Sequence, residues 1–102
     1  MPKPTREQQV QAEWIAAIGE SSRMAILRAL TTGTQTVTQL AKVCDTEIVN
    51  VSQHLSTLRD AGLVTAERDG RFVRYTLVGA RAMATMLELT HESGLKVLIP
   101  LG

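Results

Sequence analysis

The fold of this chain turns on DTEIVNVSQHLSTLRDAGLV, the run from Asp45 to Val64. Its apolar residues Ile48, Val51, Leu55 and Leu58 recur at spacings of three and four, which puts them on one face of a helix. Gly62 follows the last of them, where a left-handed cap is least strained for a residue without Cβ. Asn50, Gln53 and Thr57 share the opposite face, which is polar but uncharged. Amides presented in this way suit paired hydrogen bonds with adenine edges in a DNA major groove. The spacing predicts a recognition helix over 47–61.

Upstream, Thr36 with Gln39 forms a capping-box pattern that opens a short third helix over 37–44. Asp45 and Thr46 make the turn between the two. The same pattern at Thr5 and Gln8 opens a first helix carrying Val10, Trp14, Ile15 and Ile18, and residues 1–4 form a flexible arm before it. Ser21 or Ser22 is expected to cap a second helix that buries Met24, Ile26, Leu27 and Leu30 and leaves Arg23 and Arg28 in water. Thr31-Thr32-Gly33-Thr34 breaks that helix.

Downstream of Gly62 the apolar period changes from 3.6 to 2. Residues 63–77 read as a hairpin wing whose two-residue loop is Asp69-Gly70, a strong turn signal. That loop would set Arg68 against Arg71, Ala66 against Val73 and Val64 against Tyr75. Gly79 then begins a last helix over 79–92 with Met83, Met86 and Leu87 on its apolar side. Residues 94–102 (GLKVLIPLG) follow as an apolar tail, limited by Pro100. The expected architecture is mainly α with a β-hairpin wing, in the order α-α-α-α-β-β-α, within one domain over 5–93. A short helix, a tight turn and a second helix followed by a hairpin make a winged helix-turn-helix.

Composition bounds the function. A chain of 102 residues supports one domain with a modest core. Its net charge of +1 places any nucleic-acid-binding surface locally rather than over the whole molecule. The single cysteine, Cys44, excludes an internal disulfide framework and fits a reducing compartment. Without a signal-peptide pattern or a long apolar run, the sequence predicts a cytoplasmic protein with no membrane partner. There is no glycine-rich phosphate loop, no paired nucleophile and base, and no cluster of metal ligands. No enzyme activity, cofactor or metal is therefore expected.

From SSRMAILRALTTG through TVTQLAKVCDTEIVNVSQHLSTLRDAGLV to ERDGRFVRYTL, the chain resembles the ArsR/SmtB family of winged-helix repressors. The most specific portion is Val51-Ser52-Gln53-His54-Leu55 with Leu58-Arg59 and Ala61-Gly62-Leu63-Val64. The resemblance implies a homodimer held by the first and last helices, an operator of twofold symmetry, and repression relieved by an effector, often a metal ion. The metal ligands do not carry over. Thr36 and Thr38 stand where metal sensors of this type have Cys-x-Cys, and Val78, Ala80, His91 and Gly94 stand at their other common site, where three of four ligands are missing. Glu47 also stands where the family usually has serine. The effector is left unidentified.

The candidate DNA-binding residues are Thr38, Gln39, Asn50, Ser52, Gln53, His54, Arg68, Arg71 and Arg74. Asn50 and Gln53 read either as a solvated face or as base contacts, and the three arginines either as solubilising charges or as phosphate contacts. Thr38 and Gln39 serve as capping residues before phosphate contacts, and His54 divides between a bond within the domain and a phosphate. Cys44 reads as a buried, inert thiol rather than a sensor. Glu88 and His91, three apart on the expected last helix, form at most half of a site across a dimer. Trp14, Ile15, Ile18, Met83, Met86 and Leu87 exceed what so small a domain covers alone, so they are the expected dimer interface. Twofold pairing through them would set two recognition helices roughly 34 Å apart. The favoured reading is a dimeric repressor that binds double-stranded DNA. The alternative is a winged-helix protein–protein interaction module docking through the apolar tail.

Overall fold

The computed structural model describes residues 2–102, leaving Met1 of the expected N-terminal arm outside the described residues. Helix α1 (Arg6–Ile18) opens with the expected capping box: the Gln8 amide donates to Thr5 Oγ1 at 3.1 Å, and the Thr5 amide to Gln8 Oε1 at 2.9 Å. Helix α2 (Ser21–Ala29) is capped by Glu20 rather than by either serine. The Glu20 carboxylate accepts from the Ser22 and Arg23 amides at 3.1 and 2.9 Å, satisfying donors that the first helical turn leaves free. Arg23, expected in water, is mostly covered and donates to the Ala16 and Ala17 carbonyls at the end of α1.

A 3₁₀ turn (Leu30–Thr32) and a two-residue strand β1 (Gln35–Thr36) lead into α3 (Val37–Val43). The Thr36–Gln39 capping box forms as expected, with bonds of 3.2 and 2.8 Å. The turn after α3 is a Schellman motif: the Thr46 amide donates to the Ala41 carbonyl at 3.0 Å and the Asp45 amide to Lys42 at 3.3 Å. Asp45 holds the left-handed conformation in that motif, at φ 51°. Helix α4 (Ile48–Asp60) ends in the same way, with Gly62 at φ 80° and the Leu63 amide donating to Leu58 at 2.9 Å. Val51, Leu55 and Leu58 are fully buried, but Ile48 is 52% exposed and stands outside the core face the spacing assigned to it.

The wing is β2 (Val64–Asp69) and β3 (Phe72–Leu77), with β1 on the outer side of β3. Its register differs from expectation. Asp69 pairs with Phe72, Arg68 with Val73, Ala66 with Tyr75 and Val64 with Leu77, so the loop is Gly70-Arg71 rather than Asp69-Gly70. Gly70 at φ 62° supplies the positive φ at the first loop position, as a type II′ turn requires. The slip removes the expected Arg68–Arg71 opposition. It brings Val64 and Leu77 together at the wing root instead.

The largest departure follows the wing. The expected last helix over 79–92 is absent; β4 (Ala80–Ala82) and β5 (Met86–Thr90) occupy it, and the expected tail supplies β6 (Lys96–Pro100). The three strands form a second antiparallel sheet in the order β4-β5-β6. Leu87 pairs with Ile99 and Leu89 with Val97, giving this sheet one apolar face that joins the main core. Met83, Met86 and Leu87 fit a helical period locally, but Leu87 and Leu89 also alternate. Val97 and Ile99 on the tail match that alternation and complete a strand pair. Gly79 makes the entry: it sits at φ 64°, and a Cβ there would lie 2.5 Å from the Thr90 carbonyl oxygen. The core runs continuously from Trp14 and Ile18 through Leu27, Leu40 and Leu55 to Leu87 and Ile99.

Candidate nucleic-acid interface

Three neighbouring elements carry the candidate residues: α3 packs on α4, and the wing packs on both through β2 and β3. Thr38 and Gln39 are exposed at the start of α3. Gln39 Oε1 is held by the Thr36 amide at 2.8 Å, leaving its NH₂ group to donate outward. On α4, Asn50, Ser52 and Gln53 are exposed opposite the buried Val51–Leu55–Leu58 stripe. Thr57 Oγ1 donates to the Gln53 carbonyl at 3.3 Å, so that hydroxyl is directed back along the helix. Glu47 makes no side-chain cap, and the first turn of α4 therefore keeps unsatisfied backbone donors.

His54 is half-buried at the edge of this face. Its Nδ1 lies 3.4 Å from an Arg23 guanidinium nitrogen and 3.8 Å from Glu20 Oε2. Because arginine only donates, Nδ1 is the acceptor in that contact and Nε2 carries the proton of the neutral ring. The partnership ties α4 to the α1–α2 junction. Glu20 and Arg23 are thus positioning residues that the sequence did not single out; the only signal was a carboxylate one residue before two candidate capping serines. The Glu20 carboxyl is held below its ordinary range, first by the Ser22 and Arg23 amides and further by the Arg23 guanidinium charge.

On the wing, Arg74 Nε donates to Asp69 Oδ2 at 2.9 Å, so part of its charge is spent within the hairpin. Arg68 and Arg71 are exposed and have no ion-pair partner among the described residues. The hairpin tip therefore presents two free guanidinium groups, a suitable arrangement for phosphate or minor-groove contact.

Other expected sites change. Cys44, expected buried, is half-buried, and that burial pushes its thiol pKa up, which disfavours the reactive thiolate. Glu88 and His91 do not share a helix face. Glu88 accepts from Lys96 Nζ at 2.6 Å across β5–β6, and His91 Nδ1 accepts from the Ser93 amide at 3.1 Å while its ring meets Trp14 edge-on at 5.5 Å. Among the described residues no group of three or more His, Cys, Asp or Glu side chains is placed to hold a metal ion, and no helix is long and apolar enough to cross a membrane. Of the six expected dimer-interface residues, Trp14, Ile18 and Leu87 lie in this chain's own core. Ile15 is 44% exposed, Met83 38% exposed and Met86 half-buried.

Residues 18–67, which contain α2, α3, α4 and the start of the wing, match the model of a helix-turn-helix domain. The HTH-type transcriptional regulator NmtR of Mycobacterium tuberculosis is 34% identical over 82 residues, covering 80% of this chain and 68% of its own length. The repressor SmtB of the same organism is 31% identical over 93 residues, covering 91% and 69%. The chain belongs to the ArsR/SmtB family. The regulator CmtR of M. tuberculosis is 41% identical over 75 residues; that match spans 74% of the chain but only 64% of CmtR. Among solved structures, a homodimeric winged helix-turn-helix DNA-binding domain from Mycobacterium bovis, described as a possible ArsR-family regulator, superposes with a TM-score of 0.68 at 25% identity, covering 78% of this chain and 77% of that one. HlyU from Vibrio cholerae gives 0.67 at 27% identity, covering 72% and 80%. NmtR, SmtB and CmtR are named as transcriptional regulators or repressors.

Proposed function

We propose that this ArsR/SmtB-family chain is a sequence-specific DNA-binding transcriptional regulator, acting as a dimeric repressor on a twofold-symmetric operator. The observation that carries the reading is the pairing of an uncharged amide face on α4 with a wing tip holding two unpaired arginines, Arg68 and Arg71. Helix α4 enters the major groove, α3 braces it against the backbone, and the wing reaches the flanking phosphates or minor groove. Asn50, Ser52 and Gln53 contact bases or the adjacent backbone. Thr38, Gln39, His54 Nε2 and the wing arginines contact phosphate. Arg74 contributes least, because Asp69 already holds it. Homodimerisation in the M. bovis neighbour supports a dimer here.

The protein–protein alternative loses its supporting feature. The apolar tail it required is β6, whose Ile99 is buried in this chain's own core.

The test is selection from a random duplex pool, followed by affinity measurement across a salt series. The expected result is a twofold-symmetric consensus, binding that weakens steeply with salt, and relaxed selectivity in Gln53→Ala, with a loss of about tenfold on the best site. A protein that enriches no sequence at low salt would overturn the reading.

A further inference from the structure

The first turn of α4 carries two β-branched apolar side chains that the core does not use. Val49 is 65% exposed and Ile48 is 52% exposed. Neither aids the helix: β-branched residues lose χ1 freedom there, and Glu47 adds no side-chain cap. Their placement follows the polar face. Val49 lies one turn before Gln53 and Ile48 one turn before Ser52, so each apolar group stands beside a hydrogen-bonding group on the same strip of helix. The N-terminal part of a recognition helix is the part that meets base edges. In the major groove, an A·T pair presents an adenine edge that an amide reads and, on its thymine, a C5 methyl group that only apolar contact reads.

We infer that Val49, with Ile48 beside it, is a specificity-determining residue that packs on thymine methyl groups next to the base read by Gln53. The inference rests on the DNA-binding reading above and deepens it by naming the chemistry of the sequence selected. An operator half-site for this protein holds at least one thymine whose methyl is covered on binding. A serine or a charged residue at the same position would leave that methyl in water.

The experiment uses deoxyuridine, which keeps every hydrogen-bonding group of thymidine and lacks only the methyl. The best duplex from the random pool is resynthesised with deoxyuridine at one thymine position per half-site in turn, and affinity is measured for the intact protein and for Val49→Ala and Ile48→Ala. At the contacted position the wild type is expected to lose about threefold to fivefold per methyl. Val49→Ala should narrow the difference between the thymidine and deoxyuridine duplexes, with its salt dependence unchanged, because no phosphate contact is altered. Both substitutions sit at exposed positions and replace a β-branched residue with a better helix former, so folding is preserved. Sequence-selective binding that deoxyuridine alters at no position would overturn the inference and leave the DNA-binding reading standing, with the patch then assigned to a protein partner. Failure to recover any selective duplex would overturn both.

Discussion

Asp45 shows how a single residue sets the interface. It occupies the left-handed position of the helix-turn-helix turn at φ 51°, where most residues other than glycine are strained. Aspartate and asparagine tolerate this conformation better than residues without a short polar side chain. Asp45→Ala is therefore expected to lower stability by about 1 kcal/mol, and Asp45→Asn to be nearly neutral, as read from urea midpoints. If Asp45→Ala left the midpoint unchanged, the turn would not depend on this residue. His54 makes the complementary point. Its sequence position leaves open whether it bonds within the domain or to DNA. The Arg23 contact occupies Nδ1 and leaves Nε2 available, so the two roles are compatible.

At the scale of elements, the wing and the second sheet were decided by pairing. The Asp69-Gly70 turn signal located the hairpin correctly but gave the wrong loop, because Gly70 serves as the first loop residue instead of the second. In the second sheet, Lys96 on β6 donates to Glu88 on β5, and that hydrogen bond is the largest cause holding the Glu88 carboxyl below its ordinary range. The sign follows from linkage. A carboxyl with a lowered folded-state pKa stabilises the fold above its unfolded value, and this contribution is lost as pH falls through the folded value. Thermal melts of the wild type should lose stability from about pH 5 downward, and Glu88→Gln should flatten part of that decline. Glu20 adds to the same acid limb from the α1–α2 junction. A Glu88→Gln profile that keeps the full acid-side slope would show that the Lys96 contact contributes nothing measurable.

At the scale of the whole molecule, the second sheet changes what remains for self-association. With Trp14, Ile18 and Leu87 inside one chain's core, the expected interface residues that stay exposed are Ile15 on α1 and Met83 beside β4. Under the dimeric reading, Ile15→Glu is expected to leave the monomer fold intact, shift the sedimentation profile toward monomer and weaken operator binding by tenfold or more. Because the site is exposed, the substituted side chain stays in water and folding stability should change by less than about 0.5 kcal/mol. A fully dimeric Ile15→Glu protein would move the interface elsewhere.

The sequence by itself determined the helix-turn-helix. Its signals are local: two capping boxes at Thr5 and Thr36, the buried Val51–Leu55–Leu58 stripe, and Gly62 as a left-handed cap, each decided within one or two helical turns. The resemblance concentrated in the same segment, and the polar face of α4 could be read there too. Only the tertiary structure decided the remainder. Ile48 fits the periodic stripe but lies at its edge, where the other helices do not reach. Residues 79–92 carry a helical and an alternating pattern at once, and the choice between them came from 96–100, a strand whose Val97 and Ile99 match Leu89 and Leu87. A helix closes its backbone hydrogen bonds within four residues, so its caps and its period are local signals that the sequence displays. A sheet is stabilised by a partner strand elsewhere in the chain, and the pairing becomes visible only when both strands are in place.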